Sequence, residues 1–206
     1  MEYKDGLPVF YLKLRDDKEQ QGTSAIAFVD EPAMESMFVK FSKENKEAFV
    51  SFSNIDHSRR IVTGAVLIPE KYIFRKAIPE HNIPNHYVKL TGDEIEKIQL
   101  KFMAEKNTDK AKIFHESKDT IDGVVFFEHI MVDSKRGIKA PEYLGELPDK
   151  TWVMSSKINN DELWKKVQSG EVNGYSIEAL LSMVERVDFS KQEEPTVIDE
   201  LKKILK

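Results

Sequence analysis

Short runs of alternating apolar and polar residues dominate the first half of the chain, and this alternation predicts β-strands. The runs cover residues 9–14, 25–29, 48–53 and 60–68. The last of them is the richest in β-branched residues and contains Gly64. A glycine inside a strand usually marks a bulge or a close backbone approach, and we expect the bulge at this position.

The second half of the chain alternates between helical and strand-like patterns. The sequence TGDE at residues 91–94 is a capping box, and apolar residues then recur at helical spacing through 93–106. A second helix is expected to begin in residues 159–162 and to end at Gly170. Further strands are predicted at residues 112–115, 123–132, 151–158 and 174–187.

One predicted strand carries polar side chains in an otherwise apolar run. Residues 124–132 are apolar at every position except Glu128 and His129, so we expect a buried strand. Because side chains alternate along a strand, these two point to opposite faces. Burying a carboxylate is costly unless it is paired or hydrogen-bonded, and a buried Glu128 that orients a histidine would meet this requirement.

Two polar segments separate or follow these elements. Residues 133–150 form a long loop with two glycines and two prolines, which is either a surface excursion or a lid. Residues 190–195 are a polar linker before an amphipathic helix at residues 196–205. We therefore expect one domain at residues 1–187, and a linker with a C-terminal helix at 188–206. That helix either docks on a partner, packs back on the domain or pairs in a homodimer.

Composition narrows the class of protein. The chain has 206 residues, 40% of them hydrophobic, with a net charge of −5 and no cysteine. An acidic balance argues against nucleic-acid binding, and the lack of cysteine excludes disulfides, thiolate metal sites and a cysteine nucleophile. No apolar run approaches the length of a membrane span. We expect a soluble, intracellular α+β protein without membrane contact.

The candidate nucleophile is Ser176, which follows Gly170 and Gly174 in the sequence GEVNGYSIE. A serine hydroxyl needs a base to take its proton, so a histidine must lie nearby. The chain has five histidines: His57, His81, His86, His115 and His129. We expect His57, His81 and His86 in solvated turns or loops, and His115 at a strand end where it can face a cleft. Nothing in the pattern predicts a metal or cofactor site.

Several of these phrases resemble one protein family. They are AFVDEPA at 27–33, VTGAVLIPEK at 62–71 with Arg75 following, and NDELWKKVQSG at 160–170 continuing into GYSIE at 174–178. In this order they resemble the phage serine proteases typified by XkdF. That family is similar to the tailed-phage prohead proteases and, more remotely, to the herpesvirus assembly proteases. The resemblance extends over residues 8–181.

The resemblance implies a fold, a site and an activity. The fold is a mostly antiparallel, β-barrel-like core flanked by helices. The catalytic residues fall on Ser176 as nucleophile, His115 as general base and Glu128 as the group that holds the imidazole. His129 is the alternative third member, because the herpesvirus relatives use a second histidine. The activity is cleavage of scaffold and major capsid proteins inside the immature head, in the host cytoplasm and without a cofactor. The rival interpretation is a catalytically silent head protein of the same fold.

Overall fold

The computed structural model describes residues 2–14, 23–29, 52, 54–77, 79, 82–113, 120–179 and 181–184. Strands make up most of the regular structure in these ranges, and they are β1 (Glu2–Lys4), β2 (Leu7–Leu14), β3 (Thr23–Val29), β4 (Asn54–Asp56), β5 (Ile61–Leu67), β6 (Ile73–Arg75), β7 (His86–Lys89), β8 (Ala111–Ile113), β9 (Val124–Met131), β10 (Trp152–Ile158), β11 (Gly174–Ala179) and β12 (Leu181–Val184). The α-helices in the same ranges are α1 (Gly92–Ala104) and α2 (Asp161–Ser169).

The described strands form three sheets. The strand orders are β1-β2-β7-β6 with β12 also on β2, then β4-β5-β10-β9, and finally β11-β3-β8. Most neighbours are antiparallel, whereas the pairs β2–β7 and β3–β8 are parallel. The predicted α+β class with mostly antiparallel strands is therefore confirmed. The barrel-like core is not confirmed, because the described strands are divided among three sheets and form no single closed barrel.

One hydrophobic cluster joins the three sheets and both helices. Its fully buried members include Ile26 of β3, Trp152 of β10, Ile98 of α1 and Leu163 of α2, each with 0% of its surface exposed. Burying side chains of this size stabilises the fold by about 1.5–3 kcal/mol each. The same core therefore holds the sheets against one another and supports the elements that carry the candidate site.

Helix α1 packs one face against this cluster. Ile95, Ile98 and Phe102 are buried, whereas Leu100 and Met103 are 62% and 42% exposed. Leu100 lies about 200° around the helix from Ile98 and from Phe102, and Met103 lies about 100° from Phe102, so both fall outside the buried face. The predicted helix at 93–106 thus exists, with a narrower apolar face than the sequence indicated.

The prediction of a solvated loop around His86 was wrong. His86 begins strand β7 and is 1% exposed. Its Nδ1 atom donates a hydrogen bond to the Pro84 carbonyl oxygen at 2.8 Å, and the Phe10 ring packs against it edge-on. Burial lowers the pKa of the His86 imidazole. His81 lies outside the described residues.

The expected bulge lies close to Gly64 but not at it. Gly64 of β5 pairs regularly with Met154 of β10. The register shifts one step further along, where Trp152 pairs with Leu67 and Val153 with Ala65, so that Val66 is the extra residue. Most of the predicted strand at 48–53 lies outside the described residues.

The loop at residues 133–150 is an organised surface excursion. Short 3-10 helices form at Ser134–Arg136 and Glu142–Leu144, and the Asp149 carboxylate accepts hydrogen bonds from Ser134 N and Oγ at 2.8 and 2.6 Å. Leu144 and Leu147 pack against a small second apolar cluster that includes Val153 of β10. The loop therefore covers the face of the four-stranded sheet that points away from the main core.

The expected linker and C-terminal helix at residues 188–206 lie outside the described residues, so the division of the chain at residue 187 stays a prediction. Within the part of the chain that the structure describes, no helix is long and apolar enough to span a membrane.

Candidate active site

Ser176 is carried by a helix–turn–strand unit that local sequence rules explain. The Asn160 side chain caps α2 by accepting a hydrogen bond from Leu163 N at 2.9 Å. Gly170 ends the helix in the left-handed conformation with φ of 75°, which glycine adopts without steric cost. Val172 is then fully buried and β11 begins at Gly174. The sequence interpretation of Gly170 as a turn is confirmed, whereas Gly174 belongs to the strand.

Ser176 lies within β11, directly opposite Ala27 of β3. The serine is 1% exposed. Its Oγ atom is buried and has no hydrogen-bond partner among the residues that the structure describes. An unpartnered buried hydroxyl costs about 1–3 kcal/mol, so this position is maintained against a local energetic penalty.

The preceding residue, Tyr175, holds β11 against the four-stranded sheet. Its hydroxyl group lies 2.7 Å from Ser156 Oγ of β10 and 3.0 Å from the Val62 carbonyl oxygen of β5. The ring packs edge-on against Phe52 with centroids 4.8 Å apart. Burial raises the pKa of the Tyr175 phenol, so the hydroxyl stays protonated throughout the physiological range.

These contacts define which way Ser176 points. Successive side chains of a strand leave the sheet on opposite faces. Because Tyr175 points toward β5 and β10, Ser176 leaves β11 on the opposite face, away from the four-stranded sheet. The strand register places Ser176 in one row with two other residues of its sheet. Ser176 pairs with Ala27 of β3, and Ala27 pairs with Lys112 of β8.

His115 lies outside the described residues, so its side chain is not placed. The strand before it in the sequence is β8, whose residue Lys112 lies in the same row as Ser176, two strands away. Two strand spacings are about 10 Å. Because Ile113 still belongs to β8, only two residues, which reach at most about 7 Å, lead from the strand to His115, so the histidine and serine side chains would have to span the remaining distance.

Glu128 differs from the expectation. The predicted burial of its side chain is wrong, because Glu128 is exposed on β9, the edge strand of its sheet. The physical reason is a bulge: Ser155 pairs with Glu128 but Ser156 pairs with Phe126, so that Phe127 is inserted and both it and Glu128 face solvent. Glu128 and its partner Ser155 lie on the face of the four-stranded sheet that points away from the main core. Ser156, which bonds to Tyr175, lies on the opposite face of that sheet, toward the core. Glu128 and Ser176 make no hydrogen bond.

His129, the alternative third group, points toward the core side of the same strand. Its ring stacks on Trp152 with centroids 6.0 Å apart and contacts Phe102 at 5.7 Å. Its Nε2 atom lies 3.3 Å from the Phe126 carbonyl oxygen, and Nδ1 is buried without a hydrogen-bond partner among the described residues. Burial lowers the pKa of this imidazole, which favours the neutral form.

Sequence reasoning missed two polar residues beside the site, Tyr175 and Ser156. The sequence pattern assigns no role to Tyr175 and places Ser156 only within the predicted strand at 151–158. The available signal was two adjacent serines at 155 and 156 in an apolar strand, since buried hydroxyls need partners. Among the described residues, no group of three or more histidines and carboxylates is placed to hold a metal ion.

Comparison with known proteins gives one match. A family model described as "Putative phage serine protease XkdF" matches residues 48–185. The match includes all three predicted catalytic residues and begins later than the resemblance over 8–181 indicated. No curated protein and no solved structure matches the chain.

Proposed function

The chain belongs to the family described as putative phage serine protease XkdF, and on this premise we propose that it is a serine endopeptidase of the phage prohead. In this proposal it cleaves scaffold and major capsid proteins during head assembly, inside the immature head in the host cytoplasm. Ser176 is the nucleophile and His115 the general base. Glu128 is the third group, with His129 as its alternative; because Glu128 lies on the outer face of the four-stranded sheet and Ser176 points away from that sheet, this role requires Glu128 to change position in the active enzyme.

The observation that carries the proposal is the placement of Ser176 within a matched family segment. Its hydroxyl oxygen forms no competing hydrogen bond among the described residues, so both lone pairs and the proton are available for chemistry. The strand that bears it is held from the opposite face by Tyr175. A nucleophile on a rigid strand suits a reaction that depends on precise orientation.

The proposed reaction is acyl transfer through serine. Ser176 Oγ attacks the carbonyl carbon of the scissile peptide bond while its proton passes to His115. The carbon–nitrogen bond then breaks and the leaving amine takes that proton, which leaves an ester on Ser176. A water molecule, deprotonated by His115, hydrolyses the ester and restores the serine. Glu128 or His129 would favour the charged imidazole by orienting it.

A second candidate function is supported by a specific observation. Ser176 is only 1% exposed, and Glu128 is exposed to solvent and pairs with no histidine among the residues that the structure describes. A nucleophile must be reached by its substrate, so this burial favours a catalytically silent head protein of the same family. The two candidates differ in one property, the reactivity of the Ser176 hydroxyl group.

The experiment that separates them is a cleavage assay on the natural substrates. Purified full-length protein is mixed with the scaffold and major capsid proteins of its own phage, and products are followed by gel and mass spectrometry. The wild type is compared with Ser176→Ala and, as a matched control, Ser182→Ala in the following strand. We expect cleavage by the wild type and the control only.

Each other outcome has a defined meaning. If no variant cleaves the substrates, the silent head protein is the better interpretation. If Ser176→Ala cleaves as fast as the wild type, the nucleophile has been wrongly assigned. Parallel assays of His115→Gln, Glu128→Gln and His129→Gln decide the base and the third group, because loss of an essential partner lowers kcat by orders of magnitude.

A further inference from the structure

The buried hydroxyl group of Tyr175 has a defined hydrogen-bond polarity. A carbonyl oxygen can only accept, so the single phenol proton is donated to Val62 O at 3.0 Å. Ser156 Oγ, 2.7 Å away, must then donate its proton to the phenol oxygen. The pair of hydrogen bonds thus forms a chain from Ser156 through Tyr175 to the backbone of β5, which we name the Tyr175 clamp.

The clamp adds a polar anchor to β11, whose Tyr175 and Ile177 side chains are also buried in the main core. In its three-stranded sheet β11 is an edge strand, bonded to β3 on one side. Within the described residues, the Tyr175 clamp supplies polar bonds from β11 to the other sheet. It joins β11 to β5 and β10, which pair with each other at six positions with one bulge at Val66. The clamp therefore ties an edge strand to the interior of a well-ordered sheet.

The clamped residue is the immediate neighbour of Ser176. Tyr175 and Ser176 share a peptide unit, and their side chains leave the strand in opposite directions. A side chain anchored at 175 therefore limits both translation and twist of the backbone at 176, and with them the direction of the Ser176 Cα–Cβ bond. Because both anchoring atoms are buried, water cannot replace these bonds without cost.

We propose that Tyr175 is a positioning residue, whose clamp to Ser156 and Val62 holds the Ser176 hydroxyl group in the orientation that reaction requires. This inference rests on the proposed function for its chemical consequence. In this proposal Tyr175 does not itself contact the substrate. A misplacement of a reacting group by about 1 Å can slow a reaction by roughly 100-fold, so the effect is measurable even where the fold survives.

The test uses a fluorophosphonate probe on the full-length protein. Such a probe forms a bond between phosphorus and an activated serine oxygen, releases fluoride, and passes the serine proton to the base. The labelling rate is measured over a range of probe concentrations. This gives two separate quantities, the maximal labelling rate and the probe concentration at which the rate is half-maximal. For Tyr175→Phe we expect the maximal rate to fall roughly 10- to 100-fold and the half-saturating concentration to change by less than about twofold.

Two further variants separate positioning from general loss of stability. Tyr11→Phe removes the hydroxyl of another buried tyrosine, which lies on β2 of the five-stranded sheet within 3.4 Å of a Glu2 carboxylate oxygen and 3.2 Å of a Glu70 carboxylate oxygen. It should lower the melting temperature but leave the labelling rate unchanged. Ser156→Ala removes one of the two clamp bonds and should give an intermediate rate, which keeps the test available if Tyr175→Phe does not fold.

Hydrogen exchange of the β11 amides supplies a readout that is independent of activity. Exchange in β11 should accelerate in Tyr175→Phe and not in Tyr11→Phe. The inference is overturned if Tyr175→Phe leaves both β11 exchange and the labelling rate at wild-type values, or if Tyr11→Phe slows labelling equally. Absence of labelling in the wild type overturns the proposed function instead, and exchange then decides the positioning role alone.

Discussion

Glu94 ties the start of α1 to the end of β2, and its removal is expected to destabilise the protein substantially. The Glu94 side chain is 10% exposed, and its Oε2 atom accepts a hydrogen bond from Leu14 N at 3.1 Å. Its Oε1 atom lies 2.7 Å from Lys97 Nζ. Leu14 is the last residue of β2 and pairs with Leu181 of β12. One carboxylate thus connects α1 with β2, the strand that pairs with β12.

The magnitude follows from the interactions that Glu94→Ala deletes. The hydrogen bond from a backbone N–H to a charged acceptor contributes about 1.5–3 kcal/mol. The Lys97 pair on the same helix adds about 0.2–0.5 kcal/mol. Loss of a carboxylate in the first helical turn costs about 0.3–1 kcal/mol more through the helix dipole. Together these contributions predict a loss of about 2–4.5 kcal/mol, or roughly 4–18 °C in melting temperature for a chain of this size.

The assay is urea denaturation followed by circular dichroism, with Asp93→Ala as the matched control. Asp93 is an exposed carboxylate in the same helical turn, so the control loses the dipole contribution without a bond to β2. We expect Asp93→Ala to cost less than about 1 kcal/mol. If Glu94→Ala is no more destabilising than Asp93→Ala, the bond to Leu14 does not support the fold and the reasoning fails.

Two other predictions concern pH and backbone conformation. Burial lowers the pKa of both His86 and His129, so the unfolded chain binds protons more readily than the native protein below the ordinary histidine pKa of about 6.5. The free energy of unfolding should therefore decrease between pH 7.5 and 5.5, measured by urea titration, and His129→Phe should reduce that decrease. Gly170→Ala places a side chain at φ of 75°, which should cost about 1–2 kcal/mol. No atom lies within 4 Å of the added carbon, so this cost comes from backbone strain and not from a clash. Asparagine adopts the left-handed conformation more readily than alanine, so Gly170→Asn should cost less than Gly170→Ala. Equal melting temperatures for the two variants would show that strain is not the cause.

The unit from α2 to β11 was largely predictable from the sequence. A capping Asn160, an amphipathic nine-residue helix and a terminal Gly170 are local signals, and each acts through its immediate neighbours. The same holds for the positions of α1 and of the long strands β2, β5, β9 and β10. In β2, β5 and β10 the pattern of apolar residues and the final burial agree, whereas α1 exposes Leu100 and β9 exposes Phe127.

Short strands and the state of Glu128 were not predictable in the same way. Strands β1, β4 and β6 have three residues each, too few to show a period, and they exist because a longer neighbour offers backbone partners. Glu128 is exposed because of a one-residue bulge against β10. A bulge depends on the partner strand, so no pattern within residues 124–132 could reveal it.

The sequence by itself determined the α+β class, the helix and turn that lead into β11, and the family to which the chain belongs. These depend on local backbone preferences and on residues in a fixed order along the chain. Only the tertiary structure decided that Ser176 is buried and points away from the four-stranded sheet, that Tyr175 bonds to β5 and β10, and that Glu128 faces solvent. Those properties depend on contacts between residues far apart in the chain, such as Val62 and Tyr175, and on strand registers that no single segment encodes.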